Sequence, residues 1–298
     1  MKKLLVYSLV IIIFSFLFIH LRNNWDVIYQ IQWGAHPIYL LLHFVLMFGV
    51  FFIFVSGWKY LMSIHDVNLP LRVIANNWLV SNLGKYIPGK LFMIAGRVEL
   101  AHKFGVRRLV SFNAFVIENA LMVFAAIPFL LLSLLNGFNI FNNQTYIIAF
   151  IVFFISLVVF AKPQWIIWFL SFLCEKFRHE PITTELKFRN MLSLFAIYFT
   201  GWLLYGVAGM FLAYALIVPE SVSSIKLIVS FVASWVIGYL SFLTPGGLGV
   251  RELVLVGLLA PDIPNAHAIT LALIARLTWT VVELSGALIG LTLKFKQI

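Results

Sequence analysis

Long apolar runs separated by short polar clusters dominate the chain. They lie at about 37–60, 109–135, 146–161, 191–217 and 267–293, with a first run from Leu4 to His20 behind Lys2 and Lys3. A helix needs about 20 apolar residues to cross the hydrocarbon of a bilayer, and some manage with about 17. The pattern therefore predicts six transmembrane spans. The first begins like a secretory signal, but Phe18-Ile19-His20-Leu21-Arg22 offers no small-residue cleavage site, so it reads as a retained span.

Two stretches break the pattern. Residues 72–96 carry Asn76, Asn77, Ser81, Asn82, Lys85, Pro88, Gly89 and Lys90. Residues 225–260 are too long for one plain span and are interrupted by Leu243-Thr244-Pro245-Gly246-Gly247-Leu248-Gly249. Proline and glycine end a helix and free backbone groups that hydrocarbon cannot satisfy. Such backbone survives at membrane depth only where protein or a wet cavity surrounds it.

Composition agrees with a bilayer protein. The chain is 62% hydrophobic and only 11% charged, with 30 Phe and 9 Trp, where a soluble domain is about half apolar and a quarter charged. This excludes a cytosolic enzyme, a secreted domain and an ordinary nucleic-acid binder. The formal charge of +10 then points to cytoplasmic loops beside anionic lipid, or to an anionic substrate. A single cysteine, Cys174, excludes an internal disulfide and any thiolate-rich metal site.

Positive charge concentrates on the cytoplasmic side of membrane proteins, which orients the two odd stretches. With the amino terminus inside, two spans return the chain to the cytoplasm at Lys59 to Arg72. The basic cluster from Arg97 to Arg108 follows the first odd stretch and stays inside only if residues 72–96 dip in and return. The uncharged loop 136–145 falls outside, and the basic loop 162–190 falls inside. The second odd stretch then starts outside near Glu220 and returns outside at Asp262. Both termini are cytoplasmic on this reading, which places two re-entrant hairpins on opposite faces. Residues 163–178 form a short apolar helix with a basic end, expected on the inner surface, with the lower part of the fifth span as its plainer reading.

The two odd stretches share a plan. In the first, Pro88-Gly89 is followed by Arg97 and Glu99 and then by the span bearing Glu118. In the second, Pro245-Gly246 is followed by Arg251-Glu252 and then by the span bearing Arg276 and Glu283. The units at about 37–135 and 191–293 start on opposite sides, so they are expected as inverted repeats, with a site near midplane where broken elements meet.

Lys85, Lys90, Glu118, Arg251, Glu252, Arg276 and Glu283 all fall in or beside apolar sequence. Each charge costs about 2.5–3.5 kcal/mol at mid-bilayer on insertion scales, so they must pair or face water. Arg276 and Glu283 are seven apart, on one helical face. Glu118 is the expected ion-pair partner of Arg276. These groups either hold spans together or serve substrate and coupling, and Lys85 and Lys90 have snorkelling to the headgroups as a further option. Arg251-Glu252 opens a half-helix whose amino end suits an anion, and Arg251 adds a charge suited to phosphate. Gly286 and Gly290 form a helix-packing step. Gly246-Gly247-Leu248-Gly249 lacks the βαβ context of a dinucleotide fingerprint, Asn143-Gln144-Thr145 reads as a chance sequon, and no hydrolytic or metal motif occurs.

The run Lys85-Tyr86-Ile87-Pro88-Gly89-Lys90 with Arg97, and the run Leu243 to Glu252 followed by Ala275-Arg276-Leu277, resemble the transmembrane region of lysylphosphatidylglycerol synthases, which also occurs as free-standing bacterial and archaeal flippase-like proteins. The resemblance covers nearly the whole chain; its first motif has a longer Pro-to-Arg interval than the commoner form. It implies movement of a lipid between leaflets without lysyl transfer, since the synthase domain has no counterpart in this sequence. It leaves the lipid unnamed, with a membrane phospholipid and a polyprenyl-phosphate-linked glycan both open.

The expectation is therefore an all-α polytopic membrane protein, a single integral domain over 1–298 with six full transmembrane helices and two oppositely oriented re-entrant hairpins in an inverted repeat. It is a non-enzymatic lipid flippase of the bacterial or archaeal cytoplasmic membrane, with no cofactor and no nucleic-acid partner. Its substrate-binding residues are Lys85, Pro88, Gly89, Lys90, Arg97, Glu118, Pro245, Gly246, Gly247, Gly249, Arg251, Glu252, Arg276 and Glu283. The alternatives are a non-transporting accessory subunit of an envelope glycosyltransferase and a secondary transporter of a small anion. A glycosyltransferase and a second copy of the chain are its candidate protein partners.

Overall fold

Four of the expected spans form helices long and apolar enough to cross a membrane. The computed structural model describes residues 36–87, 91–135, 186–216, 222–241 and 244–292, with isolated positions 19, 22 and 154. The long helices are α1 (Pro37–Ile64), α4 (Arg108–Leu135), α5 (Phe188–Leu216) and α8 (Asn265–Thr292). The spans expected at 4–20 and 146–161, the interfacial helix at 163–178, and Pro88, Gly89 and Lys90 lie outside the described residues.

Both odd stretches fold as short helices flanking a turn. The first comprises α2 (Leu71–Asn82), a 3-10 turn over Leu83–Tyr86 and α3 (Leu91–His102). The second comprises α6 (Ser224–Leu240), a 3-10 turn over Pro245–Gly247 and α7 (Val250–Leu259). Helices α2 and α3 have 12 residues each and α7 has 10, so they reach about 18 and 15 Å at 1.5 Å per residue. The hydrocarbon is about 30 Å thick. None of these three could cross it alone.

Close backbone approach shapes each hairpin. A Cβ on Gly84 would lie 2.4 Å from the Met93 nitrogen, so only glycine lets the first turn press against the start of α3. Gly247, at φ +74°, would place a Cβ 2.6 Å from the Gly238 carbonyl oxygen, which brings the second turn onto α6. Ser223 opens α6 as its N-cap, its hydroxyl accepting the Lys226 N–H.

The helices pack as α1 on α5, α5 on α6 and α4, α6 on α7, and α8 on α2 and α7. Apolar surface meets lipid as readily as protein, so contact geometry and interhelical hydrogen bonds decide the packing. His43 of α1 donates from Nδ1 to the Ala208 carbonyl of α5 at 2.8 Å. Gly286 and Gly290 face Leu79, Val80 and Asn76 of α2, and Asn76 donates to the Gly290 carbonyl at 2.6 Å. The expected packing face is thus occupied by the first hairpin. Helix α8 is the least apolar of the four long helices and the most enclosed: 61% of its most apolar window is buried, against 33% for α1. That enclosure is what shelters its arginine and glutamate.

Candidate functional site

The turns of the two hairpins meet beside α8. A Cβ on Gly246, in the second turn, would lie 3.2 Å from the Tyr86 ring of the first, so the two tips touch. Both tips bind α8. Lys85 Nζ stands 2.7 Å from Glu283 Oε1, and the Tyr86 hydroxyl donates to Glu283 Oε2 at 2.8 Å. Two turns away, Arg276 Nη1 donates to the Gly246 carbonyl oxygen at 3.0 Å and lies 3.7 Å from Glu252 Oε1.

These contacts surround a small cavity lined by Lys85, Tyr86, Trp235, Gly246, Arg251, Arg276 and Trp279 among others. Arg251 projects from α7, donates to the Tyr205 hydroxyl of α5 and lies over the Trp279 ring at 5.3 Å. Lys85 faces the same ring at 5.3 Å and Trp235 at 5.9 Å. Cations held against aromatic faces are stabilised most where water is excluded. Arg276 retains two nitrogens, Nε and Nη2, that are buried and make no hydrogen bond.

A second chamber adjoins the first and shares Lys85, Trp235, Tyr239 and Trp279 with it. Arg97 and Glu118 lie there, and they form a closed network. Arg97 donates from Nη1 to Glu118 Oε2 at 2.9 Å, from Nε to Ser81 at 2.7 Å and from Nη2 to Asn82 at 3.1 Å. The other Glu118 oxygen accepts from Trp78 Nε1 at 2.8 Å. Asn77 ties this network to the backbone, donating to the Arg97 carbonyl while accepting from Trp58.

Several expectations change on this geometry. Glu118 pairs with Arg97, not with Arg276. The first hairpin folds Arg97 of α3 against α4, whereas Arg276 faces the second tip. The amino end of α7 is not left open: the Gly249 N–H donates to Glu252 Oε2 at 2.8 Å, so the helix carries its own carboxylate cap. Gly249 itself is exposed and lines neither chamber. Gly247 closes the hairpin, and Pro245 lies in its 3-10 turn. The residues brought together are Lys85, Gly246, Arg251, Glu252, Arg276 and Glu283, with Arg97 and Glu118 next door.

Sequence reading missed the aromatic wall: Tyr86, Tyr205, Trp235, Tyr239 and Trp279. One signal was present. Trp279 stands three residues after Arg276 and four before Glu283, spacings that put all three on one side of a helix.

Among protein families, the model of the lysylphosphatidylglycerol synthase TM region matches residues 5–286, so the chain belongs to that family of membrane proteins. A search among curated proteins finds no match.

Proposed function

We propose that the chain moves an anionic lipid headgroup across the cytoplasmic membrane of a bacterium or archaeon, through the cavity where the two hairpin tips meet α8. One observation carries this reading. Arg276 keeps Nε and Nη2 without hydrogen bonds in a buried site that also contains Arg251 and Lys85. Unsatisfied buried donors cost about 1–3 kcal/mol or more when charged. Nε and Nη2 form one edge of the guanidinium fork, the edge that takes two oxygens of a phosphate or carboxylate side by side. Lys85, Arg97, Arg251 and Arg276 stand against Glu118, Glu252 and Glu283, which leaves one positive charge among these groups. A site so composed favours an anion.

In this proposal the chain has six full spans, and its two hairpins re-enter from opposite faces as parts of inverted repeats at 37–135 and 191–293. The short reach of α2, α3 and α7 and the distribution of Lys and Arg support it. The headgroup passes through the polar centre while its hydrocarbon chains remain in the bilayer. The protein is a transporter and not an enzyme. Its partner is a phospholipid or a polyprenyl-phosphate-linked substrate.

Reconstitution of the full chain in liposomes with tagged anionic lipids tests this. Wild-type protein is expected to accelerate transbilayer movement, and Arg276→Ala to slow it about tenfold or more, the equivalent of about 1.4 kcal/mol. Equal rates in protein-free and protein-loaded vesicles across several anionic lipids would overturn the proposal. Uptake of a small soluble anion without lipid movement would replace the lipid by a solute.

A further inference from the structure

We infer that a groove between α1, α2 and α8 holds one acyl tail of an anionic phospholipid whose headgroup Arg276 engages. This rests on the lipid reading above and adds where the apolar part of the lipid binds. Phe51 and Phe52 of α1, Ala75 and Leu79 of α2, and Val282 and Gly286 of α8 line the groove among others, and its volume is about 190 Å³. A cavity of about 150 Å³ lined by Leu, Ile and Phe already takes a benzene ring. A segment of an acyl tail therefore fits with no movement of the helices.

The groove is continuous with the wall of the cationic cavity. At about 100° per residue, Gly286 and Val282 lie about 60° and 100° round α8 from Glu283, on the same side as Trp279. Phe51 lines the groove, Trp279 lines the cavity, and their ring centroids are 5.2 Å apart. Two touching rings thus join the two walls. A glycerol backbone spans a gap of that kind between phosphate and tail, whereas in a polyprenyl phosphate the hydrocarbon starts at the phosphate oxygen.

The rim of the groove faces outward: Phe52 is 62% exposed and Ile289 is 56% exposed. Apolar groups exposed on a membrane-spanning helix meet hydrocarbon, so the occupant is a lipid tail and not water. A tail that leaves the bilayer for the groove exchanges one apolar surrounding for another, and the hydrophobic effect contributes little. What the groove adds is close van der Waals contact and position. A tail held there keeps its headgroup beside α8, which favours engagement by Arg276 over a chance encounter. A neutral bulk lipid has no such second attachment and exchanges freely.

Cross-linking of the full protein in liposomes tests this. In a Cys174→Ala background, Phe52→Cys places a thiol at the rim of the groove, and Leu203→Cys places one on an exposed face of α5, away from it. Each thiol carries a benzophenone maleimide, and the vesicles hold equal amounts of phosphatidylglycerol and phosphatidylcholine with distinguishable tails. The probe at 52 is expected to join phosphatidylglycerol several-fold over phosphatidylcholine, and the probe at 203 to join both equally. Adding Arg276→Ala should remove the preference at 52. Ala75→Trp fills the groove and lines neither chamber of the polar site. It should slow phosphatidylglycerol movement about tenfold, about 1.4 kcal/mol, and leave binding of soluble glycerophosphate unchanged; Ala75→Phe repeats the test if that protein does not fold. Equal joining of both lipids at 52 marks bulk lipid, and a cross-link only to another segment of the protein marks a different occupant. Either result, a preference as strong at 203, one that survives Arg276→Ala, or wild-type rates in a folded groove-filled variant would overturn the inference and leave the anion reading intact. Failure of the wild-type protein to move any anionic lipid would overturn that reading, and this inference with it.

Discussion

Arg276 and Glu283 stand two turns apart on α8, and each holds the tip of a different hairpin. Arg276 donates to the Gly246 carbonyl at 3.0 Å, and Glu283 accepts from Lys85 at 2.7 Å. One helix thus fastens the turns of two different hairpins with opposite charges. The two fastenings differ in kind. Glu283 is saturated by Lys85 and Tyr86, whereas Arg276 keeps a free edge. An incoming anion can therefore engage Arg276 without first breaking the Lys85–Glu283 pair. If the anion then draws Lys85 toward itself, the first tip is still held to α8 by the Tyr86 hydrogen bond to Glu283.

The saturated pairs should govern stability and the unsaturated arginine should govern binding. Removing one partner of a buried pair costs about 3–5 kcal/mol because it strands the other charge. Arg97→Ala strands Glu118 and also removes the donors to Ser81 and Asn82. Thermal unfolding in detergent should show Arg97→Ala and Glu283→Ala strongly destabilised, and Arg276→Ala much less so. A larger loss for Arg276→Ala would contradict the assignment. Lys85→Met combined with Glu283→Leu should recover much of the loss caused by Glu283→Ala.

Hairpin closure gives a second prediction. Gly247 and Gly105 both have positive φ, at +74° and +81°. A Cβ at Gly247 meets the Gly238 carbonyl oxygen at 2.6 Å, whereas one at Gly105 meets nothing within 4 Å. Gly105→Ala should cost about 1 kcal/mol from conformation alone. Gly247→Ala adds a steric clash with backbone and should lower the unfolding temperature further and slow lipid movement. Similar unfolding temperatures for the two variants would show that the second turn does not depend on that approach.

Membrane sidedness gives a third. On the re-entrant proposal, positions 103 and 226 lie on opposite sides. In a Cys174→Ala background, Lys103→Cys should react with an impermeant maleimide only from the cytoplasm, and Lys226→Cys only from the other side. Labelling of both from one side would remove the opposed hairpins.

Much of this architecture was readable in advance. The runs at 37–60, 109–135, 191–217 and 267–293 coincide within a few residues with α1, α4, α5 and α8. Pro and Gly at 245–249 marked the second turn, and the lysine and asparagines of 72–96 marked the first. Lys85, Glu118, Arg251, Arg276 and Glu283, identified as misplaced in apolar sequence, are all buried. The pairings were not readable. The symmetry of the two halves points from Glu118 to Arg276, but Arg97, which the charge pattern places in a cytoplasmic cluster and the family motif among the site residues, is 1% exposed and takes that place.

Run length, turn residues and the cost of lone charges act over a few neighbours, so the sequence by itself determined the helices, the breaks and the residues needing partners. Only the tertiary structure decided who partners whom. An ion pair between residues 85 and 283, or a tryptophan from α6 beside one from α8, depends on how distant helices rotate and lean. Those rotations are set jointly by all the contacts, and no local pattern encodes them.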